Sequence, residues 1–220
     1  MGREAIILAG GFGTRLKGIL HDLPKPMAPV NGRPFLEYLL DFLSENNFNH
    51  VILSTGYMHS TIEDHFGPLY KNLKITYSVE SVPLGTGGAI MEATRFTGTE
   101  NFFVFNGDTI FKSDLDRMES EHLNEEADFT IALRNSDDIS RYGSINMDSR
   151  NRITTFSEKS PSHKRGWING GTYLVKKNSL LSVKKGMQFS IEKELFEVDT
   201  EKFYILGFLS DGYFEQLFLN

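Results

Sequence analysis

The chain has 220 residues, 40% hydrophobic and 24% charged, with a formal net charge of −6 and no cysteine. This is the composition of a globular protein with a full core; it argues against general binding to nucleic acid or membrane, so an anionic ligand must be held by local basic residues. The missing cysteines exclude disulfides, thiolate metal sites and a cysteine nucleophile. The N-terminus lacks the series of basic, apolar and small residues that marks a secretory signal. No apolar run approaches the roughly 18 residues that span a bilayer, and the expected location is the cytoplasm.

In chain order, Ala5–Leu8 reads as a strand covered on both faces. A long loop follows, and then Phe35, Leu36, Leu39, Leu40 and Leu43 recur at helical spacing behind Pro34, which opens the helix. "HVILST" (50–55) is a second strand, Ser60–Phe66 a short helix ended by Gly67-Pro68, and "KITYSV" (74–79) a third strand. Gly85–Thr94 is a loop running into a helix. "FFVFNGD" (102–108) is a buried strand ending in polar residues, followed by a helix near Ser113–Leu123 and a strand at Phe129–Leu133. "GSINM", "RITTFSEK", "WINGGTYLV" and "FYILGFL" are further strands, and "SIEKELFE" (190–197) is a helical turn with a serine cap. Alternating strands and helices predict an α/β fold with a mixed, mostly parallel central sheet and helices on both faces. Ligands in such folds bind where the strands end at their carboxyl side. The second half is expected to pack on the same sheet.

The loop "GGFGTR" (10–15) lacks the third glycine and the distal acid of the dinucleotide fingerprint, and the lysine and hydroxyl of the P-loop. What remains is either a flexible turn or a run of backbone N–H groups beside Arg15 suited to a polyphosphate. The stretch from Ala9 to Arg33 is far longer than an ordinary strand-to-helix connection and carries little secondary-structure signal. Within it, "LPKPMAPV" (23–30) holds Lys25 between prolines, either as part of a positive clamp with Arg15 or as a solvated lysine. Asp108, after a glycine at a strand end, is a Mg²⁺ ligand or a turn-forming aspartate. In "FSEK", Glu158 and Lys159 are a surface pair or a contact for sugar hydroxyls and a sugar phosphate; Asn169 in "INGG" could add a polar contact. The histidines at 21, 50, 59, 65, 122 and 163 show no metal-ligand spacing, and no serine is flanked as a nucleophile elbow.

Taken in order, "LAGGFGTRL", "PKPMAPV", "PLGTGGA", "NGD", "FSEK" and "INGG" resemble the sugar-1-phosphate nucleotidylyltransferases. The likeness extends from about Ala5 to Gly212. "PKPMAPVNGRPFLEYLL" and "SVPLGTGGAI" liken the chain most to the D-glycero-D-manno-heptose 1-phosphate guanylyltransferases within that family. The resemblance implies a Rossmann-like, GT-A-like nucleotidyltransferase core over residues 1–220, with 1–135 holding the nucleotide and 136–220 the sugar phosphate. It also implies Mg²⁺ and a reaction in which GTP and a sugar 1-phosphate give GDP-sugar and pyrophosphate for surface glycan synthesis. Carried over by motif, Gly10, Gly11, Gly13 and Thr14 wrap the phosphates, with Leu8, Glu80, Gly85, Thr86 and Asn106 also on the nucleotide. Arg15 holds the departing phosphates, Lys25 the α-phosphate and the incoming phosphate, and Asp108 the metal. Gly143, Glu158 and Asn169 meet the sugar, and Lys159 its phosphate.

Guanine is the expected base. It presents adjacent N1–H and N2–H₂ donors to an acceptor such as Glu80 or nearby carbonyls, whereas uracil and thymine present one N–H between two carbonyls. Glu80 as a solvated strand-end residue is the competing reading. A mannose 1-phosphate guanylyltransferase, a uridylyl- or thymidylyltransferase and a non-catalytic sugar-nucleotide binding module are the alternative functions. One departure stands out. Where the family continues into an Asp-Ile-Gly-type segment bearing a second metal ligand, this chain reads "DGYFEQLFLN". Asp211 and Glu215 are close by but off the motif position, so either the metal site is completed differently or the chain is truncated and weakly active.

Overall fold

The apolar run near the N-terminus forms β1 (Arg3–Leu8), and the next described segment carries a hairpin absent from the sequence-based expectation. Its strands β2 (Pro29–Val30) and β3 (Arg33–Pro34) are joined by Asn31-Gly32, both at positive φ (50° and 80°), the mirror-image turn that Asn-Gly favours. Each strand is only two residues long, too short to leave an alternation pattern. The helix that Pro34 opens is α1 (Phe35–Glu45). There follow β4 (Phe48–Thr55), α2 (His59–Phe66), β5 (Leu69–Tyr70), β6 (Leu73–Val79), α3 (Gly85–Ala93), β7 (Asn101–Asn106), β8 (Thr109–Phe111) and α4 (Leu115–Asn124). Asp114 caps α4 by accepting from the Arg117 N–H at 3.0 Å. The second half supplies β9 (Phe129–Ser136), β10 (Ser144–Met147), β11 (Ile153–Ser157), β12 (Gly166–Lys176), α5 (Lys177–Leu181), β13 (Ile205–Leu209) and β14 (Phe214–Gln216). This computed structural model describes residues 2–11, 23–139, 144–157, 165–183, 188–198 and 200–217.

In the central sheet, β1 lies between β4 and β7, parallel to both, and β6 continues the parallel side beyond β4. On the other side β12 runs antiparallel between β7 and β9, and β13 is parallel to β9. The strands of the second half therefore extend the same sheet. Their parity shows why: Ile6, Phe102, Val104 and Tyr173 face one buried cluster with α3 and α5, while Ala5, Ile7, Phe103 and Phe105 face another with α1, α2 and α4. Adjacent residues on a strand point to opposite faces, so near-continuous apolar runs are what a sheet covered on both sides requires. The fold is thus Rossmann-like, with a mixed, mostly parallel sheet and helices on both faces. Among the described residues, no helix is long and apolar enough to cross a membrane.

The "SIEKELFE" segment forms a single wide turn over Glu192–Phe196, with the Ser190 hydroxyl accepting from the Lys193 N–H at 3.2 Å. His122 on α4 is 1% exposed between β7 and β9. Its Nε2 sits 3.2 Å from Asn101 Oδ1 and its Nδ1 2.7 Å from the Thr130 hydroxyl, an arrangement that suits the neutral ring. Burial, helped by the Lys176 charge, pushes its pKa down to about 4. The unfolded chain therefore takes up this proton first as pH falls. Stability is fully present above pH ~6.5 and lost as pH drops through about 4, by up to about 3 kcal/mol from this group. Urea midpoints between pH 7 and 4 should fall less steeply in His122→Gln than in the unaltered chain; equal slopes would show that the ring charges inside the fold.

Candidate active site

Parallel strands end on a common edge, and here the segments after β1, β4, β6 and β7 open onto one cleft of about 360 Å³. Its walls include Leu8, Gly10, Gly11, Glu80, Gly85 and Thr86, with Asn106 and Asp108 beside them. The floor is tight. The Gly107 N–H donates to the Leu8 carbonyl at 3.0 Å, and a Cβ at Gly107 would fall 2.5 Å from that oxygen. A Cβ at Gly10 would meet Glu80 Oε1 at 2.8 Å, so glycine lets the β1 loop pass against the β6 end.

At one side of the cleft, Lys25 Nζ donates to Asp108 Oδ2 at 2.5 Å, with the side chains 25% and 28% exposed. Lys25 starts a single tight turn (Lys25–Met27) anchored by buried Pro26 and Met27, so the prolines hold the ammonium in place. Asp108 is braced by the Thr109 hydroxyl, which donates to Oδ1 at 3.0 Å, and by the Leu217 N–H, which donates to its backbone carbonyl at 2.8 Å. That second bond comes from the residue after β14, a strand that pairs with β8. Asp211 and Glu215 are both exposed. Among the described residues, no group of three or more histidines and acids could hold a metal. A single half-buried carboxylate in a cleft suits Mg²⁺ nonetheless, because that ion keeps water and takes one or two carboxylates together with substrate phosphates.

Glu80 is engaged on both oxygens: Ser54 Oγ donates to Oε1 at 3.1 Å and the Leu84 N–H to Oε2 at 2.9 Å. It closes the 81–84 loop and keeps a lone pair on each oxygen. The glycines of "PLGTGG" answer a neighbour from the second half. Gly85 has φ +70°, and a Cβ there would lie 2.5 Å from the Phe189 carbonyl. A Cβ at Gly87 would strike the Phe189 ring. The Phe189 carbonyl accepts from the N–H groups of Gly87 (2.9 Å) and Gly88 (3.3 Å), so the N-terminal turn of α3 is capped by the chain itself.

Asn169 does not line the cleft. It sits where the pairing of β12 with β9 breaks register before Tyr173, and it connects inward through hydrogen bonds. Its Nδ2 donates to the Tyr173 hydroxyl at 2.8 Å, and Tyr173 donates to Glu192 Oε1 at 3.0 Å. Burial holds the Tyr173 hydroxyl well above its ordinary pKa, so it stays protonated as a donor. Gly13, Thr14, Arg15, Gly143, Glu158 and Lys159 lie outside the described residues. Sequence reading missed Gly56, Tyr57 and the 81–83 stretch, which also line the cleft, and it missed Glu192. The Gly-Tyr pair directly after a strand was the one available signal.

Residues 4–205 match the family described as Nucleotidyl transferase. The chain is 44% identical over 213 residues to a D-glycero-alpha-D-manno-heptose 1-phosphate guanylyltransferase of Aneurinibacillus thermoaerophilus, covering 96% of this chain and 91% of that one. It is 41% identical to the protein of the same name from Campylobacter jejuni, covering 96% and 92%. The crystal structure of HddC from Yersinia pseudotuberculosis complexed with GMP-PN superposes with a TM-score of 0.84 at 34% identity, covering 98% of this chain and 93% of that one.

Gly85→Ala combines a left-handed backbone with a clash against a main-chain carbonyl, whereas a Cβ at Gly11 meets nothing within 4 Å. Thermal or urea unfolding should show a loss of at least about 2 kcal/mol for Gly85→Ala and less than about 0.5 kcal/mol for Gly11→Ala.

Proposed function

Because the chain belongs to the nucleotidyl transferase family, we propose that it transfers GMP from GTP to a sugar 1-phosphate, with D-glycero-D-manno-heptose 1-phosphate favoured, releasing pyrophosphate. The observation that carries this reading is the Lys25–Asp108 pair set beside the glycine-lined cleft, at the carboxyl edge of the parallel strands. An oxygen of the sugar phosphate attacks the α-phosphorus in line, opposite the departing pyrophosphate. That oxygen is already ionised, so no general base is needed; the obstacles are repulsion between two anions and charge building on the leaving group. Lys25 meets the first. Its charge is balanced by Asp108, and a phosphate competes with that carboxylate for the ammonium. Arg15 and Lys159 add positive charge on the assignments carried by their motifs. Asp108 would hold Mg²⁺, which, when bound, neutralises phosphate charge.

Guanine selection rests on acceptors. Glu80 keeps one lone pair on each oxygen beside the cleft wall, a geometry that fits adjacent N–H donors and opposes carbonyls. Nucleoside triphosphates are made and kept in the cytoplasm, and the reading places the protein there.

A pyrophosphate-release assay over four nucleoside triphosphates and heptose, mannose and glucose 1-phosphates tests the proposal. GTP with the heptose 1-phosphate should be fastest. Equal rates with UTP or dTTP would remove guanine, and GTP binding without turnover would leave a binding module. Lys25→Ala should lower kcat by about 10²-fold, and Asp108→Asn should abolish the Mg²⁺ dependence; intact turnover in Asp108→Asn would overturn the metal assignment.

A further inference from the structure

Glu192 comes from the second half of the chain, and its carboxylate accepts from donors in both halves. Thr86 Oγ1 donates to Glu192 Oε2 at 2.6 Å, and Ser190 Oγ donates to the same oxygen at 2.8 Å. On the other oxygen, the Tyr173 hydroxyl donates at 3.0 Å, and that hydroxyl accepts from Asn169 Nδ2 at 2.8 Å. The Ile191 N–H donates to Thr86 Oγ1 at 3.0 Å, so the Thr86 hydroxyl is used in both directions. Asn169 Oδ1 accepts from the Gly171 N–H at 2.9 Å, which leaves its amide one N–H and one lone pair for a sugar hydroxyl. Thr86 lies on the cleft wall at the first turn of α3, and Asn169 is the residue that its motif assigns to the sugar.

We infer that Glu192 is a positioning residue that couples the nucleotide half of the site to the sugar-phosphate half. Only an acceptor on both sides does this: the carboxylate takes Thr86 from the cleft wall, Tyr173 from β12 and Ser190 from its own turn. An amide at the same place carries no charge, which weakens the bonds from Thr86 and Tyr173 alike, and it turns an N–H group toward a donor on one side. Among the described residues, no backbone hydrogen bond runs between α3 and β12, and the carboxylate is a polar link between them.

The inference rests on the proposed reaction, and steady-state kinetics with each substrate varied in turn tests both. Glu192→Gln should raise the KM for GTP and the KM for the sugar 1-phosphate by about tenfold each, the loss of one charge-assisted hydrogen bond per side. Thr86→Val should raise the KM for GTP alone. A purely structural role would lower the melting temperature and the active fraction, visible in kcat, and leave both KM values in place. A change in only one KM, or in kcat alone, overturns the coupling. If Glu192→Gln does not fold, Tyr173→Phe decides. It cuts the link to Asn169 while leaving the Thr86 bond, and it should raise the sugar 1-phosphate KM more than the GTP KM; unchanged values overturn the coupling. A wild-type chain with no turnover on any pair overturns the reaction and the coupling with it, whereas wild-type turnover with an unaffected Glu192→Gln overturns the coupling alone.

Discussion

Burial of β1, β4 and β7 on both faces is the constraint from which the rest of the molecule follows. A strand with apolar residues of both parities has no side left for polar chemistry, so polar groups are driven to its ends. Because these three strands are parallel, their carboxyl ends lie on one edge, and the loops that leave them meet there. The tightness of that edge is a direct result. Gly107 sits against the Leu8 carbonyl and Gly10 against Glu80, positions where a side chain would push the loops apart.

Electrostatics then works within a narrow space. A polyanion meeting a chain of net charge −6 needs local positive charge, and Lys25 stands on a proline-stiffened turn at the cleft. The aspartate facing it avoids an isolated charge in a partly dehydrated place. The helix end that anion-binding folds commonly offer is spent elsewhere, since the Phe189 carbonyl caps the first turn of α3. The Gly87 and Gly88 N–H groups are therefore not offered to an anion.

Much of the sheet could be read from the sequence because buried parallel strands and an amphipathic helix leave periodic signals. Phe102–Phe105 and the Phe35–Leu43 repeat are examples. The Pro29–Pro34 hairpin was missed although Asn31-Gly32 is its usual turn, because strands of two residues carry no period. Of the residues carried over by motif, Glu80, Gly85 and Asp108 line the cleft, and Lys25 pairs with Asp108 at its side. What lay out of reach was the wiring. Nothing in "SIEKELFE" indicates that its first glutamate meets a threonine 106 residues earlier, and nothing in "INGG" indicates that its asparagine stands off the cleft behind Tyr173. Such contacts are made by the fold and leave no local pattern. The glycines of "PLGTGG" carry a further lesson: besides the place of Gly85 on the cleft wall, they make room for an aromatic ring and a carbonyl.

That packing ties position 87 to position 189. The ring of Phe189 fills the volume a methyl at 87 would need, while its carbonyl caps the same turn. The two positions answer to each other like lock and bolt: a side chain added at 87 has to displace the ring at 189, whose own carbonyl holds the first turn of α3.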